Sequence, residues 1–167
     1  MTMTLVETIT VGSGGAASIE FTGIPGTGKD LLLVLSARTS TGTNIRGVSM
    51  TLNNDTATNY SRLRFYGDGS SASTSGPHSE AALEPGYVNA AGTTANSFGS
   101  LSLYISNYTS TASKSISTDS VTETNGTAGY QALYANSWNN AAAVASMQID
   151  VTDDFVEHST ASLYTIS

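Results

Sequence analysis

The sequence predicts an all-β domain, an antiparallel two-sheet sandwich of jelly-roll type covering residues 1–167 as a single unit. Three observations carry this. Apolar residues recur with a period of two along most of the chain. Gly, Pro, Asn and Asp clusters interrupt those runs at short intervals. Ser and Thr supply 49 of 167 residues and fill the polar positions between apolar ones, where a β-branched Thr is favoured. Roughly nine to eleven short strands are expected from this pattern.

Taken in order, Leu5, Glu7 and Ile9 alternate with Val6, Thr8 and Thr10, and Ile19 and Phe21 flank Glu20. Leu31 to Ala37 reads as one apolar run, expected of a strand covered on both faces. Val48, Met50 and Leu52 alternate with Ser49 and Thr51; Leu101, Leu103 and Ile105 alternate with Ser102 and Tyr104. Met147, Ile149 and Val151 alternate with Gln148 and Asp150, and Leu163 closes the series. The predicted core is Leu5, Ile9, Phe21, Leu31 to Leu35, Leu103, Ile105, Met147, Ile149 and Leu163, with the first and last strands close together. Turns are expected at Gly12 to Gly15, Pro25 to Gly28, Asn53 to Asp55, Gly67 to Gly69, Pro85-Gly86 and Asn125-Gly126. The alanine-rich stretch Asn139 to Ala145 reads as a turn or one helical turn, and Gly67 to Gly76 as a long surface loop.

Composition excludes several classes. With no cysteine there is no disulfide scaffold, thiol nucleophile or thiolate zinc site. A net charge of −7 argues against nucleic acid as a partner, because such binding neutralises phosphates with cations. No apolar run approaches the ~18 residues that would insert in a membrane. The first ten residues hold Glu7 and no Lys or Arg, unlike a secretory leader, so synthesis in a cytoplasm is expected.

Gly23 to Lys29 matches the glycine and lysine positions of a phosphate-binding loop, but Asp30 stands where a magnesium-binding Ser or Thr belongs, and a strand rather than a helix follows. It reads as a turn. His78 and His158 lack a paired ligand or a nucleophile elbow, and Asp150, Asp153 and Asp154 lack calcium-loop spacing. No catalytic residue, cofactor or metal site is assigned. Four Asn-x-Ser/Thr triplets are what chance gives in so Asn-, Ser- and Thr-rich a chain.

The cations are more informative. Arg38, Arg46, Arg62 and Arg64 are four of only six, interleaved with Tyr60 and Tyr66. Arg and Tyr are enriched at protein contacts, so these six residues are a candidate interface; the alternative pairs the arginines with carboxylates of their own chain. Trp138 with Asn136 and Asn139 forms a candidate glycan contact, or else Trp138 plugs the core. Tyr87, Tyr104, Tyr108 and Tyr134, beside Asn and Ser, are further candidates for stacking on sugars.

Four strings, LVETITVGSGGAASIEF (5–21), KDLLLVLSART (29–39), NNDTATNYSRLRFYGDGSS (53–71) and STASLYTI (159–166), together resemble small virion structural proteins of tailed bacteriophages. The resemblance implies a jelly-roll-like module on the particle surface, with no active-site residues to transfer. The function it implies is non-enzymatic: capsid decoration, cement or spike, binding other virion proteins and further copies of itself, with a trimer expected. The alternative is a tail-fibre or receptor-binding module recognising a host-surface carbohydrate.

Overall fold

Alternation of side chains becomes twelve strands in a computed structural model of the chain, which describes residues 2–126 and 129–167. They are β1 (Met3–Thr10), β2 (Ala16–Phe21), β3 (Asp30–Ala37), β4 (Ile45–Leu52), β5 (Tyr60–Gly67), β6 (Ala72–Ser75), β7 (Leu83–Asn89), β8 (Gly99–Ile105), β9 (Lys114–Glu123), β10 (Gly129–Trp138), β11 (Met147–Phe155) and β12 (Thr160–Ile166). All described pairings between strands are antiparallel, and no helix occurs among the described residues.

The strands form two unequal sheets. One has eight strands in the order β1-β12-β3-β8-β9-β10-β5-β6, and the other has four, β2-β11-β4-β7. The pairs β1·β12, β2·β11, β3·β8 and β4·β7 are those of a long antiparallel ribbon rolled into two layers, which is jelly-roll wiring. Two additions, β5-β6 between β4 and β7 and β9-β10 between β8 and β11, extend only the first sheet. The first and last strands pair side by side, as expected.

Between the layers lie Ile19 and Phe21 of β2, Leu31, Leu33 and Leu35 of β3, Val48 and Met50 of β4, Leu101, Leu103 and Ile105 of β8, Met147 and Ile149 of β11, and Leu163 of β12, all nearly inaccessible. The core differs from the sequence expectation in two places. Leu5 is exposed, because the register of β1 shifts between Leu5 and Glu7. The bulge offsets the alternation, so that Val6 replaces Leu5 against the core while Ile9 packs there as expected. In β3 the apolar run is not covered on both faces: Leu31, Leu33 and Leu35 point in, while Val34 is 41% exposed on the outer side.

Three local readings also change. Residues 67–76 are not one loop, since Ala72–Ser75 pairs with β5 as an edge strand. Pro85-Gly86 lies inside β7, at a register shift against β4. Gly86 has φ +152°, and a Cβ there would sit 2.6 Å from Ser120 Oγ on β9. A glycine is required where the sheets approach this closely. Residues 139–145 form an irregular segment with a bend, not a helical turn.

Strand β3 supplies a direct check. Leu33→Ala is expected to destabilise the fold by about 2–5 kcal/mol, through lost transfer energy and a cavity. Val34→Ala, on the outer side of the same strand, should cost less than about 1 kcal/mol. Denaturant titration of both variants tests this, and equal losses would show that β3 is buried on both sides.

Candidate functional site

The inner face of β5 alternates Tyr60, Arg62, Arg64 and Tyr66, while Leu63 and Phe65 take the outer face. The arginine face therefore turns toward the second sheet rather than toward solvent. Arg62 Nη1 ion-pairs with Glu84 of β7, and Arg64 Nη1 lies 3.3 Å from the other Glu84 oxygen. Arg64 also donates to the Tyr87 hydroxyl and lies over the Tyr66 ring, 4.9 Å from its centroid. Tyr134 of β10 donates to Glu84 at 3.3 Å, and its ring meets Tyr87 edge-on at 6.4 Å. Burial first, then the Glu84 charge, pushes the Tyr134 hydroxyl upward, so it remains a donor.

The other two arginines are held similarly. Arg46 Nε lies 3.3 Å from Asp153 Oδ2. Arg38 is 9% exposed and gathers the β7–β8 loop. Its Nη1 donates to Thr93 Oγ1 (2.7 Å) and to the carbonyls of Thr94 (2.9 Å) and Ser97 (3.2 Å). Its Nη2 donates to the carbonyls of Ala91 (3.1 Å) and Thr93 (3.2 Å). All four arginines thus have partners within their own chain: Arg46, Arg62 and Arg64 pair with carboxylates, as the alternative had it, whereas Arg38 is held by loop carbonyls and a hydroxyl instead. Arg38 and Tyr60 are buried and form no part of an exposed patch.

Trp138 is fully buried, so it offers no ring face to a sugar, and Asn136 beside it is buried too. The period of two on β10 turns Ala132, Tyr134, Asn136 and Trp138 inward together, which corrects the reading of Trp138 and Asn136 as glycan contacts. Asn139, just past the strand, is exposed and accepts from Ser113 Oγ at 2.8 Å. The Trp138 ring stacks with Tyr60 at 6.3 Å. Its indole N–H donates to Asp55 Oδ2 at 2.8 Å, alongside the amides of Asn59 (2.9 Å) and Asn140 (3.1 Å). Those donors, Asn59 foremost and Trp138 next, outweigh desolvation and hold the Asp55 carboxyl down at about 2. Below the ring, Lys114 is 1% exposed and donates to the carbonyls of Ser110, Ala112 and Asn140; burial lowers its pKa. Tyr108 and Tyr134 are likewise buried, leaving Tyr104 as the exposed member of the tyrosines proposed for stacking, with Tyr87 half-buried.

The site that sequence reasoning missed is the outer face of the eight-stranded sheet. Every exposed large hydrophobic among the described residues lies there. Met3, Leu5, Val34 and Tyr104 stand on β1, β3 and β8, and Leu63, Phe65, Val121 and Leu133 on β5, β9 and β10. Registers place Leu133 opposite Phe65 and Ala135 opposite Leu63, so these form one cluster. Between the two groups runs a trough of about 510 Å³ floored by Ser115, Ser117, Ala135 and Ser137, with Tyr104 along it. Tyr104 donates to Asp30 Oδ2 at 2.7 Å, which fixes its ring. The Asn107 N–H and then Tyr104 pull the Asp30 carboxyl below its ordinary value. Next to Phe65 and Leu133, a wider open groove of about 640 Å³ continues over Gly67 and Ala72. The only available signal was the alternation of Arg62 and Arg64 with Leu63 and Phe65, and it does not say which side faces water.

No protein-family profile matches the chain, and no characterised protein matches its sequence. Among solved structures, an exo-inulinase from Aspergillus awamori aligns over all of this chain at 14% identity and a TM-score of 0.45. The aligned region is 29% of the inulinase, so the chain spans less than a third of that enzyme. The Caenorhabditis elegans galectin LEC-6 aligns over 93% of this chain and 94% of its own at 12% identity, with a TM-score of 0.38. At these scores neither likeness carries an argument about this chain.

Two outcomes check the geometry. Asp55 falls from the ordinary 3.8 to about 2 in the folded chain, so its contribution to stability is present above about pH 4 and lost as pH falls through about 2. Asp55→Asn should remove that part of the acid dependence, read as the difference between wild-type and variant melting temperatures stepped from pH 5 to about 2. Arg38→Ala leaves the buried Thr93 hydroxyl and carbonyl and three further loop carbonyls without their donor and should cost about 2–4 kcal/mol in denaturant unfolding, far more than an exposed arginine would.

Proposed function

We propose that this domain is a non-enzymatic structural protein of a tailed-phage particle, made in the host cytoplasm and placed on the virion surface as decoration, cement or spike. It attaches to other virion subunits through the outer face of its eight-stranded sheet. The observation that carries this reading is the concentration of exposed large hydrophobics on that one face. The outer side of the four-stranded sheet instead presents Ser18, Glu20, Gln148 and Asp150. A cluster of exposed apolar side chains such as Leu63, Phe65 and Leu133 marks an interaction site rather than ordinary surface. The resemblance of four strings to those of small phage virion proteins supplies the biological setting.

The second reading, a tail-fibre or receptor-binding module for a host-surface carbohydrate, draws on one feature of the same face. Tyr104 is 37% exposed, oriented by Asp30 and bordered by the serine trough, an aromatic beside hydroxyls as sugars require.

Re-addition of purified protein to particles lacking it, with occupancy read by imaging, separates the two. Phe65→Asp with Leu133→Asp should lower occupancy at least tenfold, since a charge replaces burial of two large apolar side chains. Unchanged occupancy removes the face as the attachment surface. Glycan-array binding that is lost in Tyr104→Ala while particle attachment persists would favour the carbohydrate reading.

A further inference from the structure

The outer face of the eight-stranded sheet has relief as well as apolar character. One ridge stands on β1, β3 and β8, a second on β5, β9 and β10, and the serine trough separates them. We propose that the occupant of this face is a second copy of the same chain, packed sheet against sheet about a two-fold axis. This rests on the reading of the face as the attachment surface and names its partner.

Area is the first argument. Eight strands at ~4.8 Å spacing, each about seven residues long at ~3.3 Å per residue, give a face of about 900 Å². A stable interface covers ~800 Å² on each partner, so this face alone suffices for a dimer.

Charge is the second. The chain carries −7, so copies repel unless they meet where carboxylates are few. Among the described residues the face presents no Lys or Arg and three of the chain's carboxylates, each charged and held by neutral donors of its own chain. Asp119 accepts from Ser102, Asp30 from Tyr104 and the Asn107 N–H, and Glu123 at the rim from Thr94 and Ser97. Interfaces between identical subunits are the ones that are apolar and depleted of charge.

Shape is the third. A floor of Ser and Ala lets an opposing sheet approach to the ~10 Å of ordinary sheet packing. A two-fold axis in the plane of the face can then set the Leu133 side of one copy toward the Tyr104 side of the other. One flat face is filled by one partner, so the unit is a pair rather than the trimer that the sequence led us to expect.

The test is the mass of the purified full chain by light scattering across a concentration series. The expected result is twice 17.2 kDa for the wild type. Leu133→Asp and, as a milder replacement, Leu133→Ser together with Phe65→Ser should shift the mass to 17.2 kDa with far-ultraviolet dichroism unchanged, and should abolish the concentration dependence of melting that a dimer confers. Thr51→Asp, which adds the same charge on the four-stranded sheet, should leave the pair intact. A wild type that stays at 17.2 kDa at the highest concentration, or one that forms a trimer, overturns the proposal. A pair that survives both face variants also overturns it, because the contact then lies elsewhere. A monomer whose particle attachment is still lost in the Phe65 and Leu133 variants sinks the self-pairing alone and leaves the virion-attachment reading standing.

Discussion

The rest of this structure follows from one constraint: a sheet of eight strands is covered by a sheet of four. The jelly-roll ribbon accounts for four strands in each layer, and the β5-β6 and β9-β10 additions all join the same layer. Hydrophobic side chains can fill the space only where two layers face each other. Beyond β8 the wide sheet runs out toward the edge of its partner, with β7 lying across it. The inward residues there become polar or amphipathic: Thr118, Ser120 and Thr122 on β9, Tyr134 and Asn136 on β10, Arg62 and Arg64 on β5. Glu84 of β7 ties that margin together by accepting from Arg62, Arg64 and Tyr134. The long stems of arginine and the rings of tyrosine cover apolar surface while their polar ends find partners, which suits them to the margin of a core.

The same economy explains where the cations go. Five of the six Lys and Arg are anchored within the chain: three on carboxylates and two, Arg38 and Lys114, on clusters of backbone carbonyls. Loops leave carbonyls that no strand satisfies, and a buried cation with several donors can gather them at one point. Arg38 does this for the β7–β8 loop and Lys114 for the segments before β9 and after β10. A chain without disulfides thereby gains loop staples from a handful of charges. The cost is that these cations are withdrawn from the surface, so recognition falls to apolar and hydroxyl groups on the wide sheet.

Those groups are on the outer face because the inner positions of the added strands are taken by the polar margin. On β5 an alternation of arginine with leucine and phenylalanine has only two placements, and the Glu84 cluster selects the one that leaves Leu63 and Phe65 outside. The exposed hydrophobics and the internal ion pairs are therefore two sides of one registration.

Sequence alone determined the class of fold, the central strands and most of the core, because Phe21, Leu103, Met147 and Leu163 alternate with polar residues and periodicity is a local property. It also made the two possible fates of the arginines explicit. Tertiary structure alone showed the partners each one has within the chain, carboxylates for Arg46, Arg62 and Arg64 and loop carbonyls for Arg38. Strand β9 was hidden from periodicity because its inward residues are mostly Thr, Ser and Lys, and burial of a hydroxyl depends on what lies across the gap. The bulge that exposes Leu5 and the side of β5 that faces water are set by neighbours distant in sequence, β12 for one and β7 for the other. A period of two specifies that a strand has two faces, and only the partner packed against one of them specifies which is inside.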